Sequence, residues 1–370
     1  MKTVHILYPH YLDNSGQRVT IGGIQTYITN LIDVIRECGF NVSIYQCANN
    51  DYSVERDGVR IQAINYSSSR GRRIGRKLLN ECMKHVSLKT DIVLFATDTL
   101  NIKCKGLRSI SIQHGIFWDV PGSKCNSRTK YLMDFINKAR QAWNTISRCS
   151  TVDTLVCVDY NFVNWYRAVT PFPIVNMVTI PNFTEIPKYI DKHNEKPTII
   201  FARRFFQYRG TRLFADAINL LLKNYDVKIV VAGEGPDKPY LEAKLGNFNN
   251  VSFITYQSTE SLEIHKQCDI AVVPTTGSEG TSLSLLEAMA SSCAVICTNV
   301  GGMTNIVLDH FNGIIISPEV SQLYNALKEL VEDVELRKKL SKNAYNTVKS
   351  SFCLDKWKAE WKKTINNTIQ

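Results

Sequence analysis

Short apolar runs alternate with longer stretches of helical periodicity along most of the chain, a pattern that predicts strand–helix–strand units and parallel sheets. In the first half the apolar runs fall at residues 4–8, 42–46, 92–96, 109–113, 154–158 and 177–180. Residues 184–197 break the series with Pro187, Pro197 and mixed charges, which reads as a linker. A second series follows at residues 198–201, 227–231, 251–254, 270–274 and 294–298, and beyond residue 318 the pattern is helical throughout. The expected fold is α/β, with two doubly wound Rossmann-like domains facing across a ligand cleft. The boundaries read from the pattern are 1–184 and 198–351, joined by a linker at 185–197. A last helix at 352–370 carries Trp357 and Trp361 at i, i+4 and is expected to pack back toward the first domain.

Composition excludes several classes. With 370 residues, 44% hydrophobic and 21% charged, the chain is too apolar for a disordered protein. Eleven cysteines include no C-x-x-C pair, which argues against zinc and against a disulfide framework. Met1-Lys2-Thr3 runs straight into the first strand, so no secretory leader is expected and the thiols are expected to be reduced in a cytoplasm. No apolar stretch reaches a membrane span, since 285–302 is interrupted by Glu287 and serines. The net charge is +10, and it is uneven: 23 Lys and Arg against 14 Asp and Glu over residues 1–190, but 21 against 20 over residues 191–370. An acidic partner is therefore expected mainly for the first half.

Three constellations carry chemistry. Gly22-Gly23 precede the helix-like residues 24–37, where backbone N–H groups at a helix start suit a phosphate. No G-x-G-x-x-G accompanies them, so a dinucleotide fingerprint is absent. Arg204 and Arg209 lie five residues apart on the loop after the run at 198–201, and forked guanidiniums there suit a diphosphate. Glu279 and Glu287 bracket Gly280-Thr281-Ser282-Leu283-Ser284-Leu285-Leu286, which places the first carboxylate in a loop at a helix start and the second about two turns into the helix. Glu287 sits among apolar neighbours and needs a partner.

Taken together and in this order, these segments resemble the retaining glycosyltransferases of the GT-B fold in family 4. The residues that carry the resemblance are Ala202-Arg203-Arg204 through Arg209-Gly210, Gly233-Glu234-Gly235-Pro236, the E-x7-E block from Glu279 to Glu287, Val300-Gly301-Gly302 and Asn312-Gly313. In the first half they are Gly22-Gly23, His114-Gly115 and Ile180-Pro181-Asn182. The resemblance implies a nucleotide-sugar donor whose diphosphate is held by Arg204, Arg209 and the backbone of Gly23, Thr281, Ser282 and Leu283. It assigns Glu287 to the ribose, Glu279 to the donor sugar and His114 to the reaction centre. Arg203 stands where the family has glycine, Arg209 where it has lysine, and Thr281-Ser282 where Phe-Gly is common. Retention by front-face transfer is implied, with the leaving phosphate helping to deprotonate the acceptor hydroxyl.

No Asp-x-Asp metal motif occurs, so the arginines and helix N-termini are expected to stabilise the leaving diphosphate without a divalent ion or other cofactor. Arg70, Arg72, Arg73, Arg76 and Lys77 cluster around Ile74, Leu78 and Leu79, which suits an anionic membrane surface and a lipid-linked saccharide acceptor. Residues 128–148, basic and apolar at helical spacing, read instead as an amphipathic helix covering the sheet. The expected protein is a peripheral enzyme on the inner face of the membrane that builds surface polysaccharide, O antigen or capsule, with no nucleic-acid partner. A nucleotide-sugar epimerase or hydrolase of the same architecture, a noncatalytic carbohydrate-binding protein and a nucleic-acid-binding protein are the alternatives.

Overall fold

A computed structural model describes residues 2–20, 22–120, 127–171, 175–192, 194 and 196–369. These form two compact units, each a sheet flanked by helices. The first comprises the described residues of Met1–His114, Lys124–Pro181 and Trp357–Gln370, the second those of Gly115–Ser123 and Asn182–Lys356.

In the first unit the strands are β1 (Thr3–Leu7), β2 (Asn41–Ala48), β3 (Tyr52–Arg56), β4 (Val59–Asn65), β5 (Ile92–Phe95), β6 (Arg108–Gln113), β7 (Thr154–Cys157) and β8 (Asn176–Thr179). They lie in the order β3-β4-β2-β1-β5-β6-β7-β8, parallel except for β3 against β4. The continuous apolar runs of β5 and β7 are buried on both faces, as central parallel strands require. The β3–β4 pair is an addition to the expected strands. Its residues alternate or face solvent, β3 being largely exposed at the sheet edge, so no continuous apolar run marks it. The helices are α1 (Gly23–Glu37), α2 (Gly71–Cys82), α3 (Arg128–Cys149) and α4 (Tyr160–Val169). Along α1, Tyr27, Ile28, Leu31, Ile32, Val34 and Ile35 recur at helical spacing and are buried.

The second unit has β9 (Thr198–Ala202), β10 (Lys228–Ala232), β11 (Val251–Ile254), β12 (Ile270–Val273), β13 (Ala294–Thr298) and β14 (Ile314–Ile316), in the order β11-β10-β9-β12-β13-β14 and all parallel. Strand order reverses at β9, between β10 and β12, and ligands of doubly wound sheets bind beyond the carboxyl ends at such a point. Its helices are α5 (Thr211–Leu221), α6 (Lys238–Leu245), α7 (Ser261–Lys266), α8 (Leu283–Ala290), α9 (Val320–Glu332) and α10 (Val334–Ser351). The segment read as a linker is anchored to this unit: Lys192 Nζ donates to Ser291 O at 2.9 Å, Tyr345 Oη to Pro187 O at 2.9 Å and Arg337 Nη2 to Asn194 O at 2.7 Å. The final helix, α11 (Leu354–Ile369), contributes Trp357 and Trp361 to the first unit, where both are buried and Trp361 Nε1 donates to Tyr27 Oη at 2.8 Å.

The two basic helices place their apolar residues differently, and α3 departs from the expectation that it covers the sheet. In α2, Leu78, Leu79 and Cys82 are buried, so its apolar residues serve the core while Arg70, Arg72, Arg73, Arg76 and Lys77 face solvent. In α3 only Thr145 and Cys149, near its end, are buried. The first half does not cover the sheet.

Candidate active site

In the second unit the loops after β9 and β12 meet at the carboxyl edge of the sheet, where Tyr208 O accepts from Thr276 N at 2.9 Å. Glu279 is drawn between the two loops. Its Oε2 accepts from Arg203 Nη2 at 2.6 Å, from Thr275 Oγ1 at 3.0 Å and from Arg209 Nη1, while Arg203 Nη1 also donates to Thr275 Oγ1. Burial opposes ionisation of Glu279, but the charges and hydrogen bonds of Arg203 and Arg209 outweigh it and hold the carboxyl below its ordinary range. Gly301, in the left-handed region at φ 57°, passes so close that a Cβ there would lie 2.0 Å from Glu279 O; Gly302 N donates to the same oxygen at 3.1 Å. The Gly301-Gly302 pair thus fixes the backbone of Glu279.

Thr281, Ser282 and Leu283 form the start of α8. Thr281 O accepts from Asn182 Nδ2 at 2.6 Å, and Ser282 makes no side-chain cap; a helix start of this kind favours an anion. Two turns on, Glu287 lies within its apolar helix with one polar partner, Ser261 Oγ, at 2.6 Å from Oε2. Burial pushes its carboxyl up to about 7, only partly offset by that hydrogen bond. Burial and the Glu287 charge likewise push the Tyr256 phenol up to about 12.

Arg204 is placed differently from Arg209. It is exposed, with its guanidinium 5.7 Å from the Phe206 ring centre, and it is Arg203 that joins Glu279. Arg203, Thr275, Ser261 and Tyr256 are site residues that sequence reasoning passed over. Arg203 was visible as a charged residue in place of glycine; Ser261 and Tyr256 carry no local signal, since α7 and the loop that precedes it bring them to Glu287 only in the folded chain.

In the first unit, Gly23 begins α1, whose N-terminal Gly22 offers no side-chain cap. His114 follows β6 and stands edge-on to Tyr27, with ring centres 5.5 Å apart. Its Nε2 lies 2.9 Å from Ala96 O, a carbonyl that can only accept, so Nε2 carries the hydrogen and Nδ1 the open lone pair. Burial lowers its pKa to about 4, which keeps the ring neutral at physiological pH. Among the described residues, no group of three His, Cys, Asp or Glu side chains converges as a metal site. Among the described residues, no helix is long and apolar enough to cross a membrane.

Residues 182–347 match the family of glycosyl transferases group 1. An uncharacterized glycosyltransferase of Methanocaldococcus jannaschii is 26% identical over 72% of this chain and 70% of its own length. In several further curated relatives the matched stretch covers 27% to 52% of their length. Two solved structures share the fold across essentially the whole chain. Sucrose-phosphate synthase from Thermosynechococcus elongatus superposes with a TM-score of 0.77 at 14% identity, covering 99% of both chains. Anabaena HepE, solved in complex with UDP, superposes with a TM-score of 0.66 at 15% identity, covering 99% of this chain and 100% of its own. Residues 182–347, within the second unit, thus match the group 1 glycosyl transferases, and the two sheets share the GT-B fold of the solved structures.

Proposed function

We propose that this is a retaining, family 4 enzyme that moves a hexose-type sugar from a nucleotide-diphosphate donor to a hydroxyl of a lipid-linked saccharide during surface polysaccharide synthesis. The observation that carries the donor site is the pairing of the Glu279–Glu287 block with Arg203 and Arg209 at the reversal point of the second sheet. UDP, present in the Anabaena structure, is the favoured nucleotide. The diphosphate is held by Arg209 and Arg204 with the first amides of α8 and of α1 at Gly23, and the ribose hydroxyls by Glu287. Glu279 contacts the sugar through Oε1, because Oε2 is occupied by three donors.

Cleavage of the sugar–phosphate bond builds negative charge on the leaving diphosphate and positive charge on the sugar. The guanidiniums stabilise the first without a divalent ion, and ionised Glu279 stabilises the second. His114, neutral and with Nδ1 open, accepts a hydrogen bond from a sugar or acceptor hydroxyl. The leaving phosphate takes the acceptor proton as the new glycosidic bond forms on the same face, which retains configuration. O antigen or capsule is the class of product, and the exposed cations of Arg70–Lys77 attract the enzyme to an anionic membrane carrying the acceptor. Calorimetric titration with UDP and UDP-sugars tests the donor site. Arg204→Ala and Glu287→Ala are expected to weaken binding about tenfold or more, with activity surviving EDTA; unchanged affinity in both variants refutes the assignment.

A further inference from the structure

Over most of its length before Thr145, α3 leaves uncovered an apolar surface to which the proposed reaction assigns no role. Tyr131 is 76% exposed, Leu132 56%, Phe135 62%, Ile136 54% and Trp143 72%. At 100° per residue these five side chains, with Ala139, fall within one stripe about 140° wide, while Lys138 and Arg140 border it on either side. The hydrogen bonds that tie α3 to other elements lie at its end. There Arg148 Nη2 reaches Asp98 Oδ2 at 3.4 Å and Asn101 Nδ2 donates to Arg148 O at 3.4 Å. The helix is therefore rooted on the turn after β5 and presents its other end to solvent.

The same turn seats α2. Gly75 comes so near Leu100 that a Cβ would lie 1.9 Å from its carbonyl oxygen. Two strongly basic helices thus share one support: α2 with Arg70 carries five cations against Glu81, and α3 five against Asp134. In α2 the apolar side is consumed by the core, whereas in α3 it is free.

We infer that α3 is an interfacial membrane helix, which lies in the plane of an anionic bilayer with Tyr131, Leu132, Phe135, Ile136 and Trp143 among the acyl chains. The apolar stripe supplies insertion, Trp143 and Tyr131 supply amphipathic rings suited to the headgroup boundary, and the flanking cations supply attraction to anionic lipid. A second copy of this chain does not match the surface, since a self-complementary contact would bring two basic stripes together. This assigns insertion to α3 and leaves α2 as an electrostatic contact, and it rests on the membrane partner proposed above.

The full-length protein is sedimented with vesicles of equal parts phosphatidylcholine and phosphatidylglycerol, and with vesicles of phosphatidylcholine alone. Binding to the anionic vesicles is expected, together with a blue shift of tryptophan fluorescence that Trp143→Phe removes. Leu132→Ser/Phe135→Ser/Ile136→Ser is expected to weaken binding about tenfold or more, with UDP affinity unchanged as the check on folding. Equal binding by the triple variant overturns the inference, as does a protein dimer in ultracentrifugation that this variant dissociates. Absence of all vesicle binding overturns the membrane partner as well, while loss of UDP binding by the unmodified protein strikes only the donor-site reading.

Discussion

Arg203 shows how one substitution reorganises a binding site. Where the resemblance leads one to expect glycine, a buried guanidinium reaches both Glu279 and Thr275, so on the proposed reading the carboxylate keeps a cation when a diphosphate engages Arg209. Arg203→Gly is expected to lower kcat about tenfold or more while changing donor KM little. The acid limb of the rate profile should move to higher pH, because a carboxyl held low by a partner gives up its stabilised ionised form as pH falls through its folded pKa. Rescue by Arg203→Lys should be partial, since an ammonium cannot make the forked contact; an unmoved acid limb in Arg203→Gly contradicts the positioning role. Glu287 behaves in the opposite sense. Its pKa is raised to about 7 by burial, so the protein binds more protons folded than unfolded, and this stability is lost as pH rises from the ordinary carboxyl range through 7. Glu287→Gln should therefore stabilise the fold at pH 8 relative to pH 5, by on the order of 2–3 kcal/mol, in urea titrations at the two pH values. Donor affinity of the unmodified protein should rise across the same interval, as the ionised form becomes available to accept ribose hydroxyls, and Glu287→Gln should remove that dependence. The E-x7-E spacing was legible because it is local, whereas the partners Ser261 and Arg203 were not, because they are set by the packing of α7 on α8 and by the approach of two loops.

Among the elements, strands that form continuous apolar runs announced themselves, and strands that alternate or are very short did not. β5, β7, β12 and β13 are unbroken apolar runs, but β3 and β4 alternate or face solvent and β14 has only three residues. The same limit explains why α3 was expected to cover the sheet. Both α2 and α3 have basic and apolar residues at helical spacing, and periodicity cannot say whether an apolar stripe meets a core or water. α11 illustrates the buried outcome: Trp361 is fully buried and bonded to Tyr27, and Lys362 Nζ pairs with Glu37 Oε2 at 2.6 Å on the surface. Trp361→Ala should cost about 3–5 kcal/mol in urea unfolding, through the cavity and the loss of the donor to Tyr27. Trp361→Phe should cost much less, and a loss below about 1 kcal/mol for the alanine variant would mean that α11 is not integral to the first unit.

Across the whole molecule, the charge surplus belongs to the first half and the paired carboxylates to the second, and both facts follow from composition and spacing. The sequence by itself determined the α/β class, the two sheets, the order of the motifs and the spacing of Glu279 and Glu287, because apolar runs and short-range spacing are local properties of a chain. Tertiary structure decided which arginines hold Glu279, what shares a hydrogen bond with Glu287, where the segment read as a linker is anchored and which basic helix keeps an open apolar face. Each of these depends on residues far apart in sequence arriving at one place, and a carboxylate's pKa or a leucine's exposure is a property of that place rather than of the residue.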